Sequence, residues 1–279
     1  MNGAELLLKT LEELGVDTIF GYPGGSALPI YDALYSNKKI RHIRTVHEQG
    51  AAHAADGYAR ATGKVGVVLS TSGPGATNLI TGIANAYMDS IPMVAFTGQV
   101  SLDLLGKDSF QEVDITGVTL PITKHSFLIR DKREIVKKVK EAFFIATTGR
   151  PGPVLVDLPK DIMAGEINES EIITNVNGFM KTYDSKYEHS ANLESLVKKA
   201  ASMIEKAERP VIYAGGGITS SNSGAELLEF AERIEAPVTT TLMGITSFPA
   251  EHPLYLGMLG MHGTAYANKA VTGSDLLIA

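Results

Sequence analysis

Glu48 lies in His47-Glu48-Gln49-Gly50, directly after an apolar run and at the head of an alanine-rich stretch reaching about Ala61. A carboxylate there stands where a strand gives way to a helix. Two readings follow from that position. Acids are favoured in the first helical turn by the macrodipole, with no ligand involved. Alternatively, a semi-buried carboxyl of raised pKa can give a proton to a ligand nitrogen, provided such a partner exists. Residue type alone leaves both open. A second candidate, Thr71-Ser72-Gly73-Pro74-Gly75-Ala76-Thr77-Asn78, joins another apolar run to another helical stretch. Its glycines let backbone approach a ligand, and the helix start offers unpaired N–H donors. A tight strand-to-helix turn accounts for the same residues. The stretch is not a Walker A loop, lacking Gly-Lys-Ser/Thr, and not a G-x-G-x-x-G fingerprint.

Gly21-Tyr22-Pro23-Gly24-Gly25 is similar, with Tyr22 and Pro23 adding a rigid, partly apolar lip, and Gly215-Gly216-Gly217 is a weak dinucleotide-like signal after a strand. His47 and His53 flank Glu48, but no second acid or histidine completes a ligand spacing, so no metal ligand is assigned. Arg150 and Lys160 bracket the run Val154 to Leu158 and, taken alone, read as solvated charges at strand ends.

The elements that must position these residues repeat one pattern: a short apolar run, a glycine-containing turn, then a helical stretch. Such runs are Val16–Phe20, Ile40–Val46, Val65–Ser70, Pro92–Phe96 and Val154–Leu158, the third leading to a helix through about Met88. They are β-branched and do not alternate with polar residues, which predicts strands buried on both faces of a parallel sheet. Strands alternating with helices predict an α/β, doubly wound parallel-sheet domain whose ligands bind beyond the carboxyl ends of the strands. Asn2 followed by Glu5 predicts a capping box opening the first helix. From about 164 to 190 the pattern lapses into Glu, Asn, Ser, Lys and Tyr, which reads as a linker. A second α/β series follows over 191–279: a helix from about 191 to 207, strand Pro210–Ala214, helix Gly224–Ile234, strand Pro237–Leu242, and a last apolar run, Asp275–Ala279. With only about 90 residues and an end inside that run, this second domain is expected to be truncated.

Bulk properties narrow the classes. The chain has 279 residues, 44% hydrophobic and 20% charged, ordinary for a globular protein. A net charge of -6 argues against non-specific nucleic-acid binding. Zero cysteines exclude disulfides, thiolate metal sites and a cysteine nucleophile. Glu12 and Glu13 interrupt the leucines of the first helix, unlike a secretory leader, and no segment reaches the ~20 apolar residues of a membrane span. A soluble, cytoplasmic protein without membrane or nucleic-acid partners is expected.

Taken together, the pieces resemble the acetolactate (acetohydroxyacid) synthase large-subunit family over nearly the whole chain. The resemblance rests on Phe20 to Gly25, His47-Glu48-Gln49-Gly50-Ala51, Thr71 to Asn78, Phe110-Gln111-Glu112, Gly149-Arg150-Pro151-Gly152-Pro153, Val154 to Asp161 and Leu259-Gly260-Met261-His262-Gly263, in order and at natural spacing. It implies a thiamine-diphosphate pyrimidine-binding domain over 1–163, then, past the linker, part of a central domain that cradles FAD. The implied reaction joins pyruvate to pyruvate or 2-oxobutyrate with loss of carbon dioxide, the first common step of branched-chain amino-acid synthesis. Glu48 matches the glutamate that hydrogen-bonds N1′ of the aminopyrimidine. Pro74 and Asn78 match positions beside that ring, and Tyr22, Gly24 and Gly25 the loop facing the reaction centre. Phe110, Gln111 and Lys160 match substrate-channel residues that the family brings from a neighbouring subunit, which implies a homodimer or homotetramer, with a small regulatory subunit as a further expected partner. Arg150, Gly215, Gly216, Gly217, Thr241, Leu242, His262 and Gly263 match flavin contacts.

Ser26 and Ser101 depart from the alanine and proline of many members, near the substrate entrance. The Gly-Asp-Gly…Asn-Asn signature that holds Mg2+ and the diphosphate in the family's third domain does not occur, so this chain by itself is expected not to turn over pyruvate. Glu48 argues against glyoxylate carboligase, a relative without this acid. A flavin-free acetolactate synthase, a pyruvate oxidase or decarboxylase, and a non-catalytic two-domain module are the alternative readings.

Overall fold

The predicted runs become strands of two parallel sheets in the computed structural model of the chain, which describes residues 1–184 and 192–279. The run Ile40–Val46 is the exception to burial on both faces: it carries Arg41, His42 and Arg44 and forms an edge strand, Arg41–Arg44, without a buried residue. The chain folds as two compact units, Met1–Glu188 and His189–Ala279. In the first, the elements run α1 (Gly3–Glu13), β1 (Thr18–Gly21), α2 (Leu28–Ser36), β2 (Arg41–Arg44), α3 (Glu48–Thr62), β3 (Gly66–Ser70), α4 (Pro74–Thr77), α5 (Ile80–Met88) and β4 (Met93–Gln99). They continue through α6 (Ile115–Thr119), β5 (His125–Leu128), α7 (Ile135–Thr147), β6 (Pro153–Pro159), α8 (Lys160–Ala164) and α9 (Asn177–Asp184). The sheet order is β2-β1-β3-β4-β6-β5, and every pairing is parallel.

Strand periodicity divides the central residues between two cores. Val67 and Leu69 of β3, Val94 and Phe96 of β4, and Val154, Val156 and Leu158 of β6 pack with α1, α2 and α7. Val68, Met93, Ala95 and Leu155 face the other way, against α3 and α5. Both faces are covered, so these strands carry no polar alternation. Ala51, Ala52 and Ala55 are fully buried, and their small side chains let α3 lie close to the sheet and α5. The chain leaves β1 toward β2 on one side and leaves β3 toward β4 on the other, so the topological switch point lies between the carboxyl ends of β1 and β3.

The predicted capping box closes α1, with Glu5 N donating to Asn2 Oδ1 and Asn2 N to Glu5 Oε2, both at 2.9 Å. Nothing between Phe96 and Val154 is assigned to an element from the sequence; the structure puts α6, β5 and α7 there. Helix α7 carries a buried apolar stripe at helical spacing (Ile135, Val139, Ala142, Ala146), a legible signal. Strand β5 sits at the sheet edge and buries only Phe127, so it has no apolar run to announce it. In the stretch read as a linker, Asn2 pairs with Glu166 in an isolated bridge, and Phe179 and Tyr183 of α9 pack against the first core. The part of that stretch from 185 to 190 lies outside the described residues.

The second unit runs α10 (Leu193–Lys206), β7 (Pro210–Ala214), α11 (Gly216–Ser220), α12 (Gly224–Arg233), β8 (Val238–Thr240), β9 (Tyr255–Met258), α13 (Ala265–Gly273) and β10 (Leu276–Ile278). Its parallel sheet has the order β10-β7-β8-β9, and Ile212, Ala214, Leu227, Ala231, Val238 and Phe248 form its core. Strand β9 is not predicted from the sequence, being short and broken by Gly257 at φ 75°. Among the described residues no helix is long and apolar enough to cross a membrane.

Candidate active site

Three residues past β2 the chain turns into α3. His47 is the N-cap: its Nδ1 accepts from Gln49 N at 3.1 Å. That bond occupies one ring nitrogen, and the exposed His53 does not join it in a cluster. Among the described residues no three His, Asp or Glu side chains gather as a metal site. Glu48 is therefore the first residue of α3, and it is buried, with 8% of its surface exposed. Asn78, just past α4, donates from Nδ2 to Glu48 Oε2 at 2.9 Å. On the other side, a Cβ at Gly75 would stand 3.2 Å from Glu48 Oε1. Among the described residues Oε1 accepts no hydrogen bond. The acid is thus held by one oxygen and presents the other along a wall without a side chain. Tyr31 of α2 completes the surroundings: its hydroxyl is buried without a hydrogen-bond partner, and burial, followed by the charge of Glu48, pushes its pKa far above the usual phenol range.

The two glycine loops meet at the switch point. Ser26 N donates to Thr71 Oγ1 at 3.1 Å, and the hydroxyls of Ser26 and Ser72 share a hydrogen bond of 2.8 Å. Gly24, Gly25 and Tyr22 follow β1 in the same loop, and Pro74 opens α4 behind β3. Gly73 has φ +56°, and a Cβ there would lie 2.6 Å from Gln111 O and 2.9 Å from Gln111 Cα. Only a residue without a side chain both adopts this conformation easily and admits Gln111 so close. Gln111 itself is left-handed at φ +57°, beside the fully solvated ring of Phe110 at 88% exposure. Lys160 begins α8, immediately beyond β6 and exposed. Tyr22, Gly24, Gly25, Glu48, Pro74, Asn78, Gln111 and Lys160 therefore share the carboxyl edge of the sheet.

Arg150 does not join them. It precedes β6, at the opposite edge, where Nε donates to Ser90 Oγ at 2.7 Å and Nη2 to Met88 O at 3.3 Å. The candidates of the second unit form their own group beyond the carboxyl ends of three neighbouring strands. Gly215 to Gly217 follow β7, Thr241 and Leu242 follow β8, and His262 and Gly263 follow β9. Thr241 Oγ1 accepts from Gly244 N at 3.1 Å, so its hydroxyl is engaged within its own turn, whereas Leu242 stands out at 70% exposure.

One residue of note is not singled out by its type or spacing. Asp157 lies inside β6, 2% exposed, and accepts from Thr97 Oγ1 at 2.7 Å and Gln99 Nε2 at 2.9 Å. Desolvation pushes its carboxyl up to about 7 against these two hydrogen bonds, with Asp114 adding repulsion. An acid inside the apolar run Val154-Leu155-Val156-Asp157-Leu158 is the sequence signal that could have found it.

A buried acid thus opens a helix at the carboxyl edge of the sheet, tethered by an asparagine and flanked by glycine. The chain belongs to the thiamine pyrophosphate enzymes: residues 1–118 match their N-terminal TPP binding domain and residues 197–279 their central domain. Its relatives within that class include acetolactate synthases. A probable acetolactate synthase large subunit from Methanocaldococcus jannaschii is 55% identical over 279 residues, all of this chain and 46% of the relative. The acetolactate synthase large subunits of Buchnera aphidicola and Corynebacterium glutamicum are 52% and 50% identical, again over all of this chain and over 48% and 44% of their own lengths. The chain spans about half the length of the curated relatives it matches.

Proposed function

We propose that this chain carries the pyrimidine-side site and the central domain of an acetolactate synthase that uses thiamine diphosphate to condense pyruvate with pyruvate or 2-oxobutyrate. The observation that carries the proposal is Glu48: buried, held through Oε2 by Asn78, with Oε1 left beside Gly75. These residues fit the aminopyrimidine end of the cofactor, because a carboxyl with one tethered and one unclaimed oxygen suits a flat ring nitrogen that shares its proton. When bound, thiamine diphosphate supplies a thiazolium carbon that adds to a 2-oxo acid and accepts the electrons released as carbon dioxide leaves.

The protein's own part is positioning and proton control. Glu48 presents Oε1 in a buried setting, where water competes little for a hydrogen bond to a ring nitrogen. Asn78 holds the carboxylate through one oxygen, Pro74 and Gly75 would flank the ring of the bound cofactor, and Tyr22, Gly24 and Gly25 would line the reaction side. Phe110, Gln111 and Lys160, exposed on the same edge, are assigned to the substrate channel, which a second subunit completes in a homodimer or homotetramer. The strand-end group of the second unit, from Gly215 to Gly263, is assigned to FAD, with Arg150 as a further flavin contact. Mg2+ and the diphosphate are assigned to residues outside this chain. The name "large subunit" of the relatives supports a small regulatory partner, and small soluble acids as substrates suit a cytoplasmic enzyme.

The test is acetolactate formation from pyruvate by the full-length protein, together with exchange of the C2 proton of bound thiamine diphosphate. Replacing a proton-sharing group costs roughly two to four powers of ten. Glu48→Gln is expected to slow both by such a factor while the fold persists; near-normal exchange in Glu48→Gln would remove Glu48 from this role.

A further inference from the structure

The segment from Val100 to Asp114, between β4 and α6, carries Phe110 and Gln111 and runs through conformations that side chains rarely adopt. Asp108 and Gln111 are both left-handed, at φ 52° and 57°. Non-glycine residues hold such angles only where their surroundings overdetermine them. Part of the constraint is internal, since Glu112 accepts from Gly106 N and from Ser109 N, the second at 2.9 Å. The rest comes from two acids of the β6–α8 segment. Asp157 Oδ2 accepts from Gln99 Nε2, and the same Nε2 donates to Val113 O at 2.9 Å, while Val100 N donates to Gln99 Oε1 at 2.9 Å. One glutamine side chain thus ties the departing and returning strands of the loop together, and Asp157 and Thr97 fix that glutamine. Four residues on, Asp161 Oδ1 accepts from Leu102 N at 3.1 Å.

We infer that Asp157 is a positioning residue: through Gln99 it clamps both ends of the loop spanning Val100 to Asp114, and so seats Gln111 against Gly73 at the carboxyl edge of the sheet. The geometry requires it. A Cβ at Gly73 would touch the Gln111 backbone, so the loop stands within van der Waals distance of the segment whose Asn78 holds Glu48. The clamp is a property of this chain alone; its bearing on substrate rests on the role proposed above for Gln111.

The experiment is amide hydrogen exchange along the chain, without substrate, for the wild type and for Asp157→Ala, Asp157→Asn and Gln99→Ala. Asp157→Ala and Gln99→Ala are expected to speed exchange over residues 106–112 by about tenfold or more, leaving β3 and the sheet of the second unit as in the wild type. Asp157→Asn is expected to stay close to the wild type, because its amide oxygen still accepts from Gln99 while the Thr97 hydroxyl turns to accept from its nitrogen. Unchanged exchange over 106–112 in Gln99→Ala, or an equal rise throughout the first unit, overturns the inference. Gln99→Ala leaves the Thr97–Asp157 bond in place and decides the question if Asp157→Ala does not fold. In the full-length protein the clamp variants are expected to raise KM for pyruvate more than they lower kcat. Glu48→Gln has the opposite balance, so failure of the clamp and failure of the proposed activity give different results.

Discussion

Asn78 Nδ2 stands 2.9 Å from Glu48 Oε2, so a residue behind β3 holds the first residue of the helix that follows β2. The two lie on neighbouring connections of the sheet and thirty positions apart in the chain. Their bond converts a first-turn acid, which many helices have, into an oriented carboxylate with one oxygen to spare.

Removing Asn78 tests that conversion. A hydrogen bond to a charged group is worth ~1.5–3 kcal/mol, which corresponds to about tenfold to a hundredfold in rate or affinity. Asn78→Ala in the full-length protein is expected to lower acetolactate formation by that factor, and Asn78→Asp to do worse by placing a second carboxylate against Glu48. Activity unchanged in both variants would separate Asn78 from the site.

Asp157 makes stability depend on pH in a defined direction. Its pKa in the folded protein, about 7, lies above the ordinary 3.8, chiefly through desolvation. The folded state therefore keeps this proton longer, and the associated stabilisation is complete below about pH 4 and lost as pH rises through about 7. Urea midpoints compared between wild type and Asp157→Asn isolate this group from others that titrate. The wild type is expected to lose ground to the variant between pH 5 and pH 8, by an amount on the order of a few kcal/mol at most. A difference that does not change with pH would contradict a raised pKa.

Gly73→Ala adds a methyl where φ is +56° and where Gln111 O would lie 2.6 Å away. A left-handed residue with a side chain costs roughly 1–2 kcal/mol before any clash is counted. Loss of at least that much stability is expected by urea denaturation, together with faster proteolysis in the 100–114 loop. A neutral substitution would mean that the loop does not rest on Gly73.

The helix bearing Glu48 is braced at its middle by Asp56, which is 5% exposed and accepts from Arg60 Nε at 3.0 Å and Asn85 Nδ2 at 2.6 Å. Asp56→Ala leaves the Asn85 amide without its acceptor at the α3–α5 contact, and a cost of about 2 kcal/mol is expected. Thermal denaturation measures it; a shift within error would show that the contact is solvated.

Arg150 lies at the edge of its sheet away from Glu48 and is bound to Ser90 and Met88. If it also contacts flavin, Arg150→Ala is expected to lower flavin content after gel filtration while sparing thiamine diphosphate binding. Equal flavin content would restrict Arg150 to holding the end of α5.

Much of this was readable in one dimension. Runs such as Val65–Ser70 and Val154–Leu158 disclosed a sheet covered on both faces, because a strand buried twice has no polar alternate positions. Asn2 with Glu5 announced the cap of α1, and the positions of Glu48, Gly73 and Lys160 at strand ends placed them on the carboxyl edge once parallel strands were inferred. Those features are local, since spacing and residue type determine them. Other features depended on which strands became neighbours. Only the order β2-β1-β3-β4 brings Asn78 to Glu48 and Ser72 to Ser26. Only the pairing of β4 with β6 sets Asp157 opposite Thr97 and within reach of Gln99. The same geometry sends Arg150 and Lys160, ten residues apart, to opposite ends of one strand. Hydrogen bonds reach about 3 Å, and contacts of that range between residues thirty to sixty positions apart are made by the packing of the sheet, which the order of residues along the chain does not display.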